Sequence, residues 1–459
     1  MYQINFQNPV HIYFIGIGGI SMSGLAEILL EKGFTVSGSD SRESSLTQLL
    51  VSRGASIHYG QKAENITGDI DLVVYTSAIH PDNPEYAAMK SMQIPSLTRA
   101  QLLGQIMQNY GLPIAVSGTH GKTTTTSMIS EILLAADTDP TLSIGGILKS
   151  IGGNIRVGHS DYFVTEACEY TNSFLSFFPK IGIILNVEED HLDFFKDIDD
   201  IRHSFHRFAA LIPEDGALII NGDIPELSVL TEGLSCRIIT YGSGEDCDYR
   251  PSNITYREDG CADFVLLKKG AEPESFSLST PGEHNVFNAL AAIVLSDVLS
   301  IDHAIVRRAL FAFHGTDRRF EYKGTVNGIA IIDDYAHHPT EITATLQAAQ
   351  NYPHKTLWCV FQPHTFTRTK AFLKDFAKAL SLADRVILAD IYPARETDNL
   401  GISSETLRDE ILSLGKDCWY FPSFKQIEKF ILENCLPNDL LITMGAGDVV
   451  NIGEELLNQ

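Results

Sequence analysis

Gly118-Thr119-His120-Gly121-Lys122-Thr123-Thr124 stands between an apolar run, PIAVSG (113–118), and a helical one, TTTSMISEILLAA (124–136). The N–H groups of such a turn cradle phosphates, a lysine reaches the β and γ oxygens, and the threonine hydroxyl can hold Mg2+. Val116 stands where the standard loop has its first glycine, so this version is shorter. Its chemistry is ATP binding. A second glycine-rich turn, Gly16-Ile17-Gly18-Gly19, also joins a strand (HIYFIG) to a helix, with Ser21 in the third glycine position. The next strand, TVSGSD, ends in Asp40, where a ribose-binding carboxylate belongs. Such a turn offers free N–H groups and a helix dipole to a diphosphate. By itself it does not separate NAD from a nucleotide sugar.

Carboxylates and a histidine end two later strands: Glu166 after YFVT, and Glu188, Glu189, Asp190 and His191 after IGIILNV. Phosphate-bound Mg2+ needs few protein ligands, so one carboxylate and one further donor suffice. An acidic run of this kind is ordinarily a solvated helix cap, and it acquires a metal role only beside Mg–ATP. Asn285 and Asn288 in PGEHNVFNA are three apart and share a helix face, with capping as the ordinary alternative. Three more polar clusters, Arg318-Arg319, Asp333 to Pro339 and Gln362 to Arg368, lie toward the C-terminus, two of them directly after buried-type strands. Open α/β sheets keep their ligand sites at such strand ends.

The elements that must carry these residues are continuous Val/Ile/Leu runs alternating with helical patterns, the signature of buried parallel strands. The chain is therefore α/β. Its 459 residues suggest about three domains. The first boundary falls at Tyr110-Gly111 and the second at His314 to Arg319. Between Cys247 and Ser279 short alternating segments predict an antiparallel insertion in the second domain. A net charge of −24 excludes a nucleic-acid or membrane-surface protein, both of which need a dense basic face. No run approaches the roughly 20 apolar residues of a membrane span, and no secretory signal is visible. Seven scattered cysteines without a CxxC pair read as reduced thiols, so a cytoplasmic location is expected.

Taken in order, GIGG with SGSD, SAIHPDNPE (77–85), GTHGKTTTT (118–126), EACEY (166–170), DHLD (190–193), PGEHNVFNA, RRFE (318–321), DDYAHHPTEI (333–342), FQPHTFTRT (361–369) and GAGD (445–448) resemble the Mur ligases over the full length of the chain. The resemblance implies an N-terminal Rossmann-like domain for the UDP-sugar (1–110), a central P-loop ATPase (111–317) and a C-terminal Rossmann-like domain (318–459) that closes over ATP and brings the amino acid. It implies ATP-dependent joining of L-alanine to UDP-N-acetylmuramate through an acyl phosphate, with Mg2+, in peptidoglycan precursor synthesis, by a monomer or homodimer. Carried over residue by residue, Gly16, Gly18, Gly19, Asp40, Ser77 and His80 would meet the UDP-sugar. Gly118, Thr119, His120, Gly121, Lys122, Thr123, Thr124, Asn285, Asn288, Arg319 and Asp334 would meet ATP. Thr123, Glu166 and His191 would hold the metal; Tyr335, His337, His364 and Arg368 would meet the amino acid. Lys122, Glu166, His191, His337 and Arg368 would be catalytic. Two motifs depart from the common pattern. EACEY stands where many members read EADES, and Thr365 stands where some carry an arginine, which throws carboxylate binding onto Arg368.

Overall fold

The computed structural model describes residues 2–76, 79–394 and 396–458. It is built on three sheets, met in chain order. The first has five parallel strands in the order Ser56–Tyr59, Thr35–Asp40, His11–Ile15, Leu72–Tyr75 and Ser96–Thr98. After the central strand His11–Ile15 the chain first fills one side and later the other, so its carboxyl end is a topological switch point. Gly16 makes the turn there with φ 82, a conformation that suits glycine, and helix Ile20–Glu31 follows.

The second sheet has ten strands. At its centre Leu112–Ser117 lies between Tyr162–Ala167 and Ile181–Ile184, all parallel. Val116 pairs with Glu166 and Ser117 with Ile184, so three strand ends emerge side by side. The phosphate loop, Glu166 and the segment 185–191 therefore converge without any long-range coincidence. The segment read as an insertion forms Tyr249–Tyr256, Cys261–Lys268 and Glu274–Pro281, an antiparallel set that prolongs the edge of this same sheet. Helix Glu283–Val298, almost wholly buried, packs against the P-loop helix Lys122–Ala135.

The third sheet has six strands, five of them parallel, with Glu321–Val326 antiparallel at one edge. Asp334, Met444 and Phe361 are register partners, so the DDYAHH, GAGD and FQPHTFTR clusters leave one edge together. The helical pattern 368–380 is divided into Phe366–Ala371 and Leu373–Leu380. Phe372 leaves helical backbone (φ −108, ψ 25) with its ring edge-on against His338, 5.0 Å between centroids. That tertiary contact is invisible to periodicity.

Two of the joints between the sheets lie close to the domain boundaries read from the sequence. Helix Arg99–Met107, started by a Thr98 capping box, lies against the segment Tyr170–Ser176 at Gly104. At the other joint, Gly315, Arg318 and Phe320 take positive φ (96, 61 and 47). Arg318 donates Nε to Asp333 (3.0 Å), Nη1 to the Gly447 carbonyl (3.0 Å) and Nη2 to the Gly445 carbonyl (2.7 Å), pinning the start of the third sheet. All seven cysteines are free. Among the described residues no helix is long and apolar enough to cross a membrane.

Candidate active site

The phosphate loop opens into a cavity of about 550 Å³. Thr119 to Thr123, Gly145 and Glu166 line it from the second sheet, Arg319, Tyr335 and His337 from the third, and Ile20 from the first glycine-rich turn. Gly121 has φ 82, and a Cβ there would lie 2.6 Å from Asn288 Oδ1, so the turn excludes any side chain. Lys122 Nζ donates to Glu169 (2.9 Å) and to the Thr119 carbonyl (3.1 Å). Burial alone would lower the ammonium pKa, but Glu169 foremost holds it above the ordinary lysine range. Thr123 Oγ1 donates to Glu166 Oε2 at 3.2 Å, and the Gly145 N–H donates to the other carboxylate oxygen. Burial nevertheless pushes the Glu166 carboxyl up, against the opposing pull of the Gly145 N–H, Thr123, Lys122 and Arg319. His191, at φ 53, stacks on Tyr170 with 4.5 Å between centroids. Burial lowers its pKa, leaving a neutral imidazole with a lone pair to offer. Two oxygens and one imidazole facing one phosphate loop are a donor set that fits Mg2+.

Beyond Gly121 a second cavity, about 290 Å³, runs between the second and third sheets. Asn285, Asn288, His284, Arg319, Asp334 and Glu341 are among its walls. The two asparagines are already linked: Asn285 Nδ2 donates to the Pro281 carbonyl (2.7 Å), Asn288 Nδ2 to Asn285 Oδ1 (3.0 Å), and Thr125 Oγ1 to Asn288 Oδ1 (3.2 Å). Asp334 accepts from the Phe320 and Ala336 N–H groups, both at 2.8 Å, and burial raises its carboxyl to about 6. It shapes the turn that presents Arg319. His120 sits between the sheets, Nδ1 3.3 Å from Glu341 and Nε2 3.6 Å from Glu188. Burial would lower it, yet Glu341 and Glu188 together raise it to about 9.

A third cavity, about 180 Å³, adjoins His191 and is lined by Tyr170, Asp190, Asp193, His364, Thr365 and Arg368. Arg368 Nε and Nη2 both donate to Asp190 Oδ1, at 3.1 and 3.0 Å, across the gap between the second and third sheets. Its Nη1 faces His364 Nδ1 at 3.3 Å. Burial lowers His337 and His364 to about 4, so both are neutral hydrogen-bonding groups near pH 7.

Comparison with known proteins agrees with this three-part arrangement. Residues 11–111 match the model described as "Mur ligase family, catalytic domain", 116–296 the "Mur ligase middle domain", and 318–447 the "Mur ligase, glutamate ligase domain". A UDP-N-acetylmuramate–L-alanine ligase of Agathobacter rectalis is 62% identical over 459 residues, covering 100% of both chains. The chain belongs to the Mur ligase family. One of Lachnospira eligens is 60% identical over 458 residues, again covering 100% of both. Among solved structures, the UDP-N-acetylmuramate–alanine ligase of Thermotoga maritima superposes with a TM-score of 0.81 at 30% identity, covering 98% of each chain. The murein peptide ligase of Psychrobacter arcticus gives 0.72 at 26%, also covering 98% of each.

In this Mur ligase the first glycine-rich turn is bonded within its own domain. The Gly16 and Ile17 N–H groups donate to the Ser39 carbonyl, both at 2.9 Å, and the Gly18 N–H donates to Asp40 Oδ2 at 2.8 Å. Asp40 Oδ1 accepts from the Ser41 N–H at 2.7 Å, so this carboxylate braces the turn. What the turn offers outward is helix Ile20–Glu31, whose N-terminus has no side-chain cap. His80 is exposed and lines none of these three cavities. Ser77 lies outside the described residues.

Three carboxylates organise the cations of this Mur ligase: Glu169 holds Lys122, Asp190 holds Arg368, and Glu341 faces His120, His337 and Arg319. Sequence reasoning named Asp190 only within an acidic run and gave Glu169 and Glu341 no role. Each sits inside a motif already singled out, one to four residues from a residue assigned a role, and that proximity was the available signal.

Proposed function

We propose that this protein joins L-alanine to UDP-N-acetylmuramate at the expense of ATP, through an acyl phosphate, in peptidoglycan precursor synthesis. The observation that carries the reading is the cavity around Lys122, to which all three sheets contribute side chains. A ligase needs a carboxylate, a γ-phosphoryl group and an amine at one point, and three domains delivering one each meet that need. The UDP diphosphate would dock at the N-terminus of helix Ile20–Glu31, near Gly16, Gly18 and Gly19, which points the muramate carboxylate at the phosphate loop. ATP would lie along Gly118 to Thr124 with its adenine between the second and third sheets, near Asn285 and Asn288.

A carboxylate is a poor acyl donor because oxide would have to leave. Attack of the muramate oxygen on the γ-phosphorus breaks the bond to ADP and makes phosphate the leaving group. Lys122 neutralises charge on the transferring group, and Arg319 adds a second cation from the third sheet. Thr123, Glu166 and His191 would hold Mg2+, whose part is to neutralise phosphate charge. The amine then adds to the acyl carbon, and the tetrahedral intermediate collapses to amide and inorganic phosphate. The neighbouring Tyr335 carbonyl, 3.0 Å from His337 Nδ1, favours a proton on that nitrogen and leaves Nε2 as the acceptor. Packing of the third sheet over the second excludes water that would hydrolyse the acyl phosphate.

Phosphate release measured with UDP-N-acetylmuramate, ATP and a series of amines tests the reading. Release should require both the UDP-sugar and L-alanine, and the product mass should be that of the amide. A protein that ignores L-alanine and consumes a tripeptide would be a recycling ligase instead. Release driven by neither would end the proposal.

A further inference from the structure

Arg368 is the cation to which the sequence resemblance assigns the carboxylate of the incoming amino acid, yet it is not an open group. Two of its three nitrogens converge on a single oxygen of Asp190, a residue on the opposite side of the interdomain gap. Both side chains are close to fully buried, 10% exposed for Arg368 and 8% for Asp190. Oδ1 of Asp190 also accepts the His191 N–H at 2.7 Å, so one carboxylate oxygen joins the backbone of a metal-ligand candidate to the guanidinium. The contact leaves Nη1 at the wall of the 180 Å³ cavity, where it meets only the neutral His364 at Nδ1, 3.3 Å away, a partner that a substrate carboxylate can displace. A free arginine side chain has considerable rotamer entropy to lose, and a pre-oriented one loses less on binding.

We infer that Asp190 is a positioning residue for the amino-acid substrate: it fixes Arg368 across the cleft so that the Nη1 edge receives the substrate carboxylate. The amine site is then complete only when the second and third domains are together. The segment that brings His191 to the nucleotide also brings the carboxylate receptor to the amine. Two further contacts of the same segment support this role. The Glu189 carbonyl lies 3.0 Å from His338 Nε2, and Glu188 accepts the Thr340 hydroxyl at 2.7 Å. The inference rests on the ligase reading, and its test is chosen to separate the two.

Hydroxylamine is an amine without a carboxylate; it traps an acyl phosphate as a hydroxamate and releases phosphate. With ATP and UDP-N-acetylmuramate, the wild type should form amide from L-alanine and hydroxamate from hydroxylamine. In Asp190→Asn, which keeps the oxygen that accepts the His191 N–H, the ratio of amide to hydroxamate should fall about tenfold or more, through KM for L-alanine. Arg368→Lys should lower the same ratio, because one ammonium cannot serve Asp190 and a substrate carboxylate in fork geometry. The double variant should be no worse than Arg368→Lys alone, since one residue acts through the other. An unchanged ratio in either single variant, or additive losses in the double, overturns the inference. If Asp190→Asn cannot be purified, Asp190→Glu, which keeps the charge but displaces the oxygen that holds Arg368, should lower the ratio in its place, and an unchanged ratio there overturns the inference. A wild type that makes neither product defeats the ligase reading itself.

Discussion

Lys122, the cation proposed to act on the transferring phosphoryl group, is kept charged and in place by its neighbours. Glu169, only 3% exposed, holds it at 2.9 Å, and two loop carbonyls take its other protons. Lys122→Ala should therefore do two things. It should lower kcat by about 100–1,000-fold, as loss of one preorganised charge at a transition state does. It should also lower stability in the absence of ATP, because Glu169 is left buried and unpaired. Lys122→Ala combined with Glu169→Gln should recover thermal stability without recovering turnover. Steady-state kinetics and melting curves on the three proteins check both halves. A double variant that melts like the single one would mean that Glu169 is not the group that suffers.

The helices that aim these residues depend on close approaches that few side chains permit. Helix Arg99–Met107 belongs to the first domain but lies against the segment that follows Glu169. At Gly104 an added Cβ would run into the Ser176 carbonyl oxygen, backbone that cannot swing aside. Gly104→Ala should thus cost about 1–3 kcal/mol despite the better helix propensity of alanine, the usual penalty of overpacking. It should also weaken turnover, since displacement of 170–176 moves Tyr170 off His191. Equilibrium unfolding in urea measures the first effect and kcat the second. A stabilised variant would show that the two elements can separate at no cost.

Across the whole molecule, closure of the third domain on the second rests on buried charge as well as on packing. His120 meets Glu341 of the third domain and Glu188 of its own, and together they raise it to about 9 from an ordinary value near 6.5. A raised folded pKa makes this a stabilising contribution at low pH: it is fully present below about 6.5 and is lost as pH rises through about 9. The difference in melting temperature between the ligand-free wild type and His120→Gln should be constant below pH 6.5 and should shrink between 7 and 9. A difference that does not vary with pH would remove His120 from the interdomain contact.

Much of this was legible in the residues alone. The class of fold follows from uninterrupted Val/Ile/Leu runs, which are stable as strands only when helices cover both faces. Gly118 to Thr124 declares its chemistry because a strand, a glycine turn and a helix suffice to make a phosphate cradle, and all three are local. Helix Arg99–Met107 is likewise local in origin, its capping box being made between Thr98 and Gln101. What sequence could not decide was which carboxylate answers which cation. Glu169 and Lys122 are 47 positions apart, and Asp190 and Arg368 are 178 apart. No spacing rule reaches so far, and Asp190 reads as solvent-facing like the rest of its acidic run until the neighbouring strand end buries it. Asp40 adds a second case: its position at the end of TVSGSD matches a ribose-binding carboxylate, and the folded turn shows that it also accepts two backbone N–H groups, one of them from Gly18 in the glycine-rich turn. Sequence determined the elements and the chemistry each one carries, because those are set within a few residues. Only the packing of three sheets decided which charges are buried against each other, because desolvation and pairing are properties of the assembled interface.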